Sequence, residues 1–191
     1  MNTYVLICDE TQQCAIIDPG ADAEEILAMT AGAQVDKILL THGHADHVGA
    51  LAEVKAATGA PVYLHPADAA KFDLAYDVAL DDGDAIRLGN YTLRALHTPG
   101  HTPGMISLVI DHRVVVGDTL FVGGPGRTVS PADFATTMRT LQTVVFTWAD
   151  DTEFYPGHGP SGVIGQERGA FEAFVARGWP ADLCGDVVWI G

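Results

Sequence analysis

The sequence predicts an α/β fold, and two patterns carry that reading. Short apolar runs of strand type alternate with stretches of helical periodicity along the chain. Each conspicuous cluster of ligand-type side chains follows directly on one of the apolar runs, as happens where loops beyond strand ends carry the chemistry of a sheet.

Taken in order, "YVLIC" and "CAIID" flank a polar "DETQQ" and read as a hairpin. "ADAEEILAMTAG" places Ile26, Leu27 and Met29 on one helical face and stops at Gly32. "KILLTH" is a buried-type strand that runs into a dense polar knot, and "ADHVGALAEVKAATG" is helical up to Gly59. "PVYLH", "YTLRALHTP", "MISLVI" and "HRVVVGD" read as strands. "SPADFATTMRTLQTVV" opens a helix with Ser130 as N-cap and Pro131 in the first helical position. "TEFYPGHGP" is a strand followed by a loop, and "GQERGAFEAFVARG" is a last helix.

At 191 residues the chain is long enough for one domain with a substantial core, with 178–191 as a C-terminal tail. No apolar run approaches the roughly 20 residues that cross a bilayer. "MNTYVLICDE" lacks the basic and apolar regions of a signal peptide. Cys8, Cys14 and Cys184 are too few and too scattered for a disulfide framework, so a cytoplasmic location is expected. A net charge of −15, with no cluster of Lys and Arg, argues against nucleic acid as a partner. Nothing in the sequence indicates a membrane partner, and the oligomeric state is open; Trp179 and Trp189 in the tail suit either a core edge or a dimer contact.

The knot is "THGHADH", with His42, His44, Asp46 and His47 inside six residues. Imidazole and carboxylate without thiolate suit zinc, iron or manganese. His42 and His44, two apart in an extended stretch, point the same way and can share one ion. Asp46 and His47, at the start of the following helix, turn elsewhere and suit a second ion. The remaining ligands are sought in loops of the same kind: His101 in "TPGHTPG", Asp118 in "VVVGDTLF" and His158 in "YPGHGP". The expected division is His42, His44 and His101 on one divalent ion and Asp46, His47 and His158 on the other. Asp118 bridges them, and a water or hydroxide forms the second bridge. His65 and His112 lack such surroundings and read as ordinary histidines. His97 reads as a residue that orients the His101 loop. Asp18, at the end of a strand, either caps the next turn or hydrogen-bonds behind the metals.

The four motifs "THGHADH", "TPGHTPG", "GDTLF" and "PGHG", in this order and spacing, resemble the metallo-β-lactamase superfamily. Within it they are most similar to the short members of the glyoxalase II (hydroxyacylglutathione hydrolase) branch. The resemblance covers about residues 6–165. It implies an αββα sandwich, two mixed β-sheets flanked by helices, and a dinuclear centre with the ligand division given above. Asp118 stands where the best-known β-lactamases carry a cysteine, which disfavours penicillin-type substrates. In "GDTLFVGGPGRT", Arg127 occupies the place of a basic residue that contacts the carboxylate of the thiol carrier. Its alternative is a surface ion pair. Val129 replaces the aromatic residue usual in glyoxalase II. Arg168 fits the short members of the branch and fits a helix-surface ion pair equally well.

The implied activity is hydrolysis of an anionic small-molecule thioester of the hydroxyacylglutathione type by a metal-bound hydroxide. Asp46 would fix the nucleophile or accept its proton. No G-x-S-x-G is present to offer a serine nucleophile. The alternatives are a persulfide dioxygenase-like oxygenase using one iron, suggested by "GRT" at 126–128, and lactone or phosphoester hydrolysis on the same dinuclear site.

Overall fold

The computed structural model describes residues 1–190. The first half builds a five-stranded sheet from β1 (Tyr4–Ile7), β2 (Gln13–Ile17), β3 (Gln34–Leu39), β4 (Val62–Leu64) and β5 (Val78–Ala79), in that spatial order. β1 and β2 pair antiparallel as the expected hairpin, and β2 through β5 run parallel. Between these strands lie α1 (Ala23–Met29), α2 (Ala45–Val48), α3 (Leu51–Thr58) and α4 (Pro66–Phe72).

The second half contributes β6 (Ala85–Leu88), β7 (Tyr91–His97), β8 (Ile106–Ile110) and β9 (Arg113–Gly117) as an antiparallel meander. A small hairpin follows, β10 (Leu120–Phe121) with β11 (Gly124–Pro125), and then α5 (Pro131–Thr143). β12 (Glu153–Pro156) joins β9 in parallel, and β13 (Gly162–Val163) closes the sheet edge before α6 (Ile164–Arg177). The order of this six-stranded sheet is β13-β12-β9-β8-β7-β6.

Three buried clusters separate four layers. Ile17, Leu39, Leu93, Ile106, Leu108 and Val115 fill the space between the two sheets. Ile16, Ile38, Leu40 and Val62, pointing the other way, meet Ile26, Val54 and Ala69 of the first set of helices. Val114, Val116 and Phe154 meet Phe134, Leu141, Phe171 and Phe174 of α5 and α6. Successive side chains of a strand point to opposite faces, so a strand covered on both faces must be apolar throughout. That is why "CAII", "KILL" and "RVVV" show no alternation. The arrangement is the αββα sandwich.

Several local expectations are sharpened. Of the apolar face read in α1, Ile26 is buried, Leu27 half-buried and Met29 48% exposed; Ala23 takes the other buried position. The long helix expected over 45–59 is broken into α2 and α3. Gly49 lies against the carbonyl of Gly20, where any Cβ would collide, and Ala50 N–H donates to the Pro19 carbonyl at 2.9 Å. α5 starts as read: Pro131 follows Ser130, whose Oγ accepts the Asp133 N–H at 3.2 Å. The helix stops at Thr143, before the two valines included in the reading. α4, not anticipated, is capped by His65, whose Nδ1 accepts the Ala67 N–H at 3.1 Å.

The tail packs as part of the structure. Trp189 is 2% exposed and meets Phe171 and Phe174 edge-on, while Trp179 packs on Phe134 and Phe174. Both tryptophans therefore cover the edge of the outer core, the first of the two roles open to them.

Candidate metal centre

β7, β9 and β12 point in one direction, because β12 is parallel to β9 and two antiparallel steps separate β9 from β7. Their ends deliver His101, Asp118 and His158 to one edge of the second sheet. The end of β3 reaches the same edge from the first sheet, where the Thr41 carbonyl accepts the Ile106 N–H at 2.9 Å. All four loops meet there, and all seven expected ligand residues lie together.

Three ring nitrogens converge on one side of the cluster. His44 Nδ1 lies 3.0 Å from His42 Nε2 and 2.9 Å from His101 Nε2. Asp46, His47 and His158 gather on the other side, with His158 Nε2 3.0 Å from Asp46 Oδ2. Asp118 lies between. Its Oδ1 is 3.4 Å from His47 Nε2, and its Oδ2 is 3.6 Å from His101 Nε2 and 3.7 Å from His158 Nε2. Gly157 allows this approach, since a Cβ there would run into Asp118 Oδ1 and the His47 ring. The Gly157 N–H donates to the Gly117 carbonyl at 2.9 Å, locking the Asp118 and His158 loops together.

The tautomers follow from the partners. His101 Nδ1 sits 2.7 Å from the Arg127 carbonyl, which only accepts, so Nδ1 holds the proton and Nε2 presents a lone pair. Thr41 Oγ1 donates to Asp18 Oδ2 at 2.6 Å and therefore accepts from His42 Nδ1 at 3.0 Å, which leaves His42 Nε2 bare. His47 Nδ1 donates to Asp18 Oδ2 at 3.0 Å and so turns Nε2 toward Asp118. Asp18 is buried and also accepts the Thr41 N–H at 2.8 Å, so of its two readings the place behind the cluster is the one occupied.

This donor set fits divalent ions. His42 and His101 both aim lone pairs at His44 Nδ1, which could satisfy only one of them with a proton. Burial lowers the pKa of all three imidazoles, and for His42 the neighbouring histidines lower it further, so the group is neutral and electron-donating. On the other side, His47 Nε2 and Asp118 Oδ1 are buried atoms without a hydrogen-bond partner. Burial opposes a charge on His47, yet the facing Asp118 and Asp18 carboxylates push its pKa up to about 10. Asp118 is also held ionised: burial works against its charge, and the imidazoles, His47 foremost, outweigh it. The field of the two aspartates thus holds one positive charge here, whether a proton or a metal ion. Hard and borderline divalent ions are the cations that accept nitrogen and oxygen donors together.

Further residues support the cluster. Asp68, fully buried, accepts the Gly43 N–H at 3.0 Å and the Gly104 N–H at 2.6 Å, tying the His42–His47 loop to the His101 loop. Sequence reading missed it together with α4, the helix that carries it. Phe72 sets its ring edge-on to His44 at 5.0 Å. His97 Nε2 contacts the Pro103 carbonyl at 2.8 Å and its ring stacks on His65, so it does steady the His101 loop. His112 lies on the exposed turn between β8 and β9, away from the cluster.

His42 and His47 form the buried floor, whereas Asp46 and His158 are about half exposed and form the open side. A cavity of about 370 Å³ opens there, lined by His101, Asp118, His158, Phe121, Arg127 and the 186–188 stretch of the tail, among others. The Arg127 side chain is exposed and its Nε lies 3.6 Å from Asp186 Oδ2. Val129 is 76% exposed. Arg168 is remote from the cavity lining; it donates to Asp150 and to the Phe146 and Trp148 carbonyls, clamping α6 to the turn after α5.

The fold and the cluster define a metallo-hydrolase with a His/Asp centre suited to divalent metal. The chain belongs to the metallo-β-lactamase superfamily, whose family model matches residues 1–158. Among its relatives is hydroxyacylglutathione hydrolase GloC of Haemophilus influenzae, 35% identical over 85% of this chain and 88% of that protein. Among solved structures, the BLEG-1 B3 metallo-β-lactamase superposes with a TM-score of 0.78 at 30% identity, covering 88% of this chain and 91% of that one. ETHE1 from Myxococcus xanthus superposes with a TM-score of 0.77 at 32% identity, covering 87% and 76%. Among the described residues, no helix is long and apolar enough to cross a membrane.

Proposed function

We propose that the protein hydrolyses thioesters of the hydroxyacylglutathione type. The observation that carries this reading is the two-sided cluster, three neutral imidazoles facing an Asp–His–His group across a single carboxylate, Asp118. His42, His44 and His101 would hold one divalent ion, Asp46, His47 and His158 the other, and Asp118 both. Such ions supply Lewis acidity toward a carbonyl and bring water close to ionisation at neutral pH.

The chain's own groups set the rest. Asp46, half exposed at the open side, would take the proton of the attacking water on the carboxylate oxygen that does not face the ion and release it to solvent. Asp18, by holding the proton on His47 Nδ1, keeps Nε2 free. As the water oxygen bonds to the acyl carbon, the C–S bond breaks and the thiol leaves as thiolate, a stable anion that needs no acid beside it. Arg127, at the rim, would meet a carboxylate of the incoming substrate in exchange for Asp186. The similarity to GloC, which covers 85% of this chain and 88% of that protein, supports a substrate of that class. The chain would work as one domain with 178–191 as its C-terminal tail, Trp189 acting as the strap that ties this tail to the outer core. Its three cysteines are free, which fits the expected cytoplasmic location.

The likeness to ETHE1 supports a second reading, an iron-dependent oxygenase acting on a persulfide. One experiment separates them. Purified protein is assayed for metal content, for thiol release from S-lactoylglutathione, and for oxygen uptake with glutathione persulfide. Thiol release without oxygen uptake is expected. Oxygen uptake with sulfite as product, and a single iron per chain, would replace hydrolysis by the second reading.

A further inference from the structure

Part of the wall of the cavity beside Asp118 and His158 is apolar. It consists of Phe121, Val122, Pro125, Val187 and Val188. Val122 is 50% exposed and Val188 60% exposed, an unusual outlay of aliphatic surface at the mouth of a site. The Phe121 ring centroid lies 6.3 Å from that of His158, so this surface is continuous with the metal-binding residues. Exposed apolar surface that runs into a cleft marks a ligand groove.

The surface is fixed in place. Gly185 exchanges two backbone hydrogen bonds with Thr128, at 2.9 and 3.2 Å, and the Trp189 N–H donates to the Gly123 carbonyl at 2.9 Å. Residues 186–188 span the interval between these anchors and the buried Trp189 side chain, so they stand as a rigid lip. The lip also changes the charge of the wall. Arg127 is the one Lys or Arg among the lining residues, and Asp186 from the lip faces it at 3.6 Å. The wall therefore offers apolar contact and little net charge.

Resting on the thioester reading, we infer that this wall binds an unbranched apolar acyl chain, so that thioesters of straight-chain alkyl acyl groups are turned over beside the hydroxyacyl class and faster than its short members. The acyl arm is assigned rather than the thiol arm on chemical grounds. Biological thiol carriers bear carboxylates, phosphates or amides, which the five apolar side chains of the wall cannot pair; a carrier's carboxylate goes instead to Arg127 at the rim.

The test is a series of straight-chain S-acylglutathiones from acetyl to octanoyl, with S-lactoylglutathione beside them, assayed by thiol release on the metal-loaded enzyme. Each methylene that enters the groove is expected to raise kcat/KM about two- to fourfold until the cavity is filled. Val188→Asp, a change on the exposed lip, is expected to lower the octanoyl-to-acetyl ratio about tenfold or more. Turnover that is flat or falling with chain length, or a ratio untouched by Val188→Asp, would overturn the inference and leave thioester hydrolysis standing. Absence of turnover for every thioester would instead remove the hydrolytic reading and this inference with it.

Discussion

Replacing Asp18 by Asn tests how the buried carboxylate controls the metal centre. Asp18 receives three hydrogen bonds, from the Thr41 N–H, the Thr41 hydroxyl and His47 Nδ1. Asn keeps the shape and can still accept the Thr41 N–H at its carbonyl oxygen. Its amide NH2 then stands where Oδ2 stood, as a donor facing two donors. The Thr41 hydroxyl can rotate, but His47 must move its proton to Nε2, the atom aimed at Asp118. That removes the lone pair needed by the Asp46, His47 and His158 side. Losing such a supporting carboxylate costs about 10- to 100-fold in metal affinity. The folded protein also loses one charge-assisted and one hydroxyl hydrogen bond, about 2–4 kcal/mol in a buried setting. The assay is a competition titration with a chromophoric chelator on the wild type and Asp18→Asn, with urea unfolding measured in parallel. One class of site is expected to weaken, while the His42, His44 and His101 side holds its metal. Two sites of unchanged affinity in a folded variant would refute the tautomer argument.

Other outcomes follow from the same contacts. The His47 pKa is raised from 6.5 to about 10 in the folded chain, so the charge on His47 stabilises the metal-free fold fully below about pH 6.5, and this contribution is lost as pH rises toward 10. Chelator-treated protein should therefore lose melting temperature steadily from about pH 7 to 10, while the metal-loaded form should not; parallel profiles would contradict this. Loading metal should also release a proton at pH 7.5, detectable as a calorimetric heat that varies with the buffer's ionisation enthalpy. Trp189→Ala empties a buried site against Phe171 and Phe174 and should cost about 3–5 kcal/mol in urea unfolding; a change under 1 kcal/mol would mean that the strap lies loosely on the core.

The ligand knot was legible in the sequence because its chemistry is local. His42, His44, Asp46 and His47 announce themselves by type and spacing, and His101, Asp118 and His158 by their positions after apolar strands. What joins them was not legible. Asp68 acts through two backbone N–H groups, 25 and 36 residues away, and nothing in "HPADAA" betrays that. The break between α2 and α3 depends on Gly49 meeting Gly20, a contact between separate elements. α1 looked more amphipathic than it is, since Ile26 packs inward while Met29 lies at the surface. The strand order was also hidden, because it is set by which faces pair rather than by any segment's own pattern. Arg127 was noticed for its side chain, yet the contact it makes to the cluster is through its backbone carbonyl, which holds the proton on His101 Nδ1.

The central claim is that one carboxylate, Asp118, serves two metal ions held by six other side chains. Metal content per chain, measured on extensively dialysed wild type and on Asp118→Ala, tests it most directly. Two divalent ions are expected in the wild type, with thioester turnover, and fewer than one tightly held ion in the variant, with none. A wild type saturated by a single ion, or an Asp118→Ala protein that keeps both ions, would contradict the account.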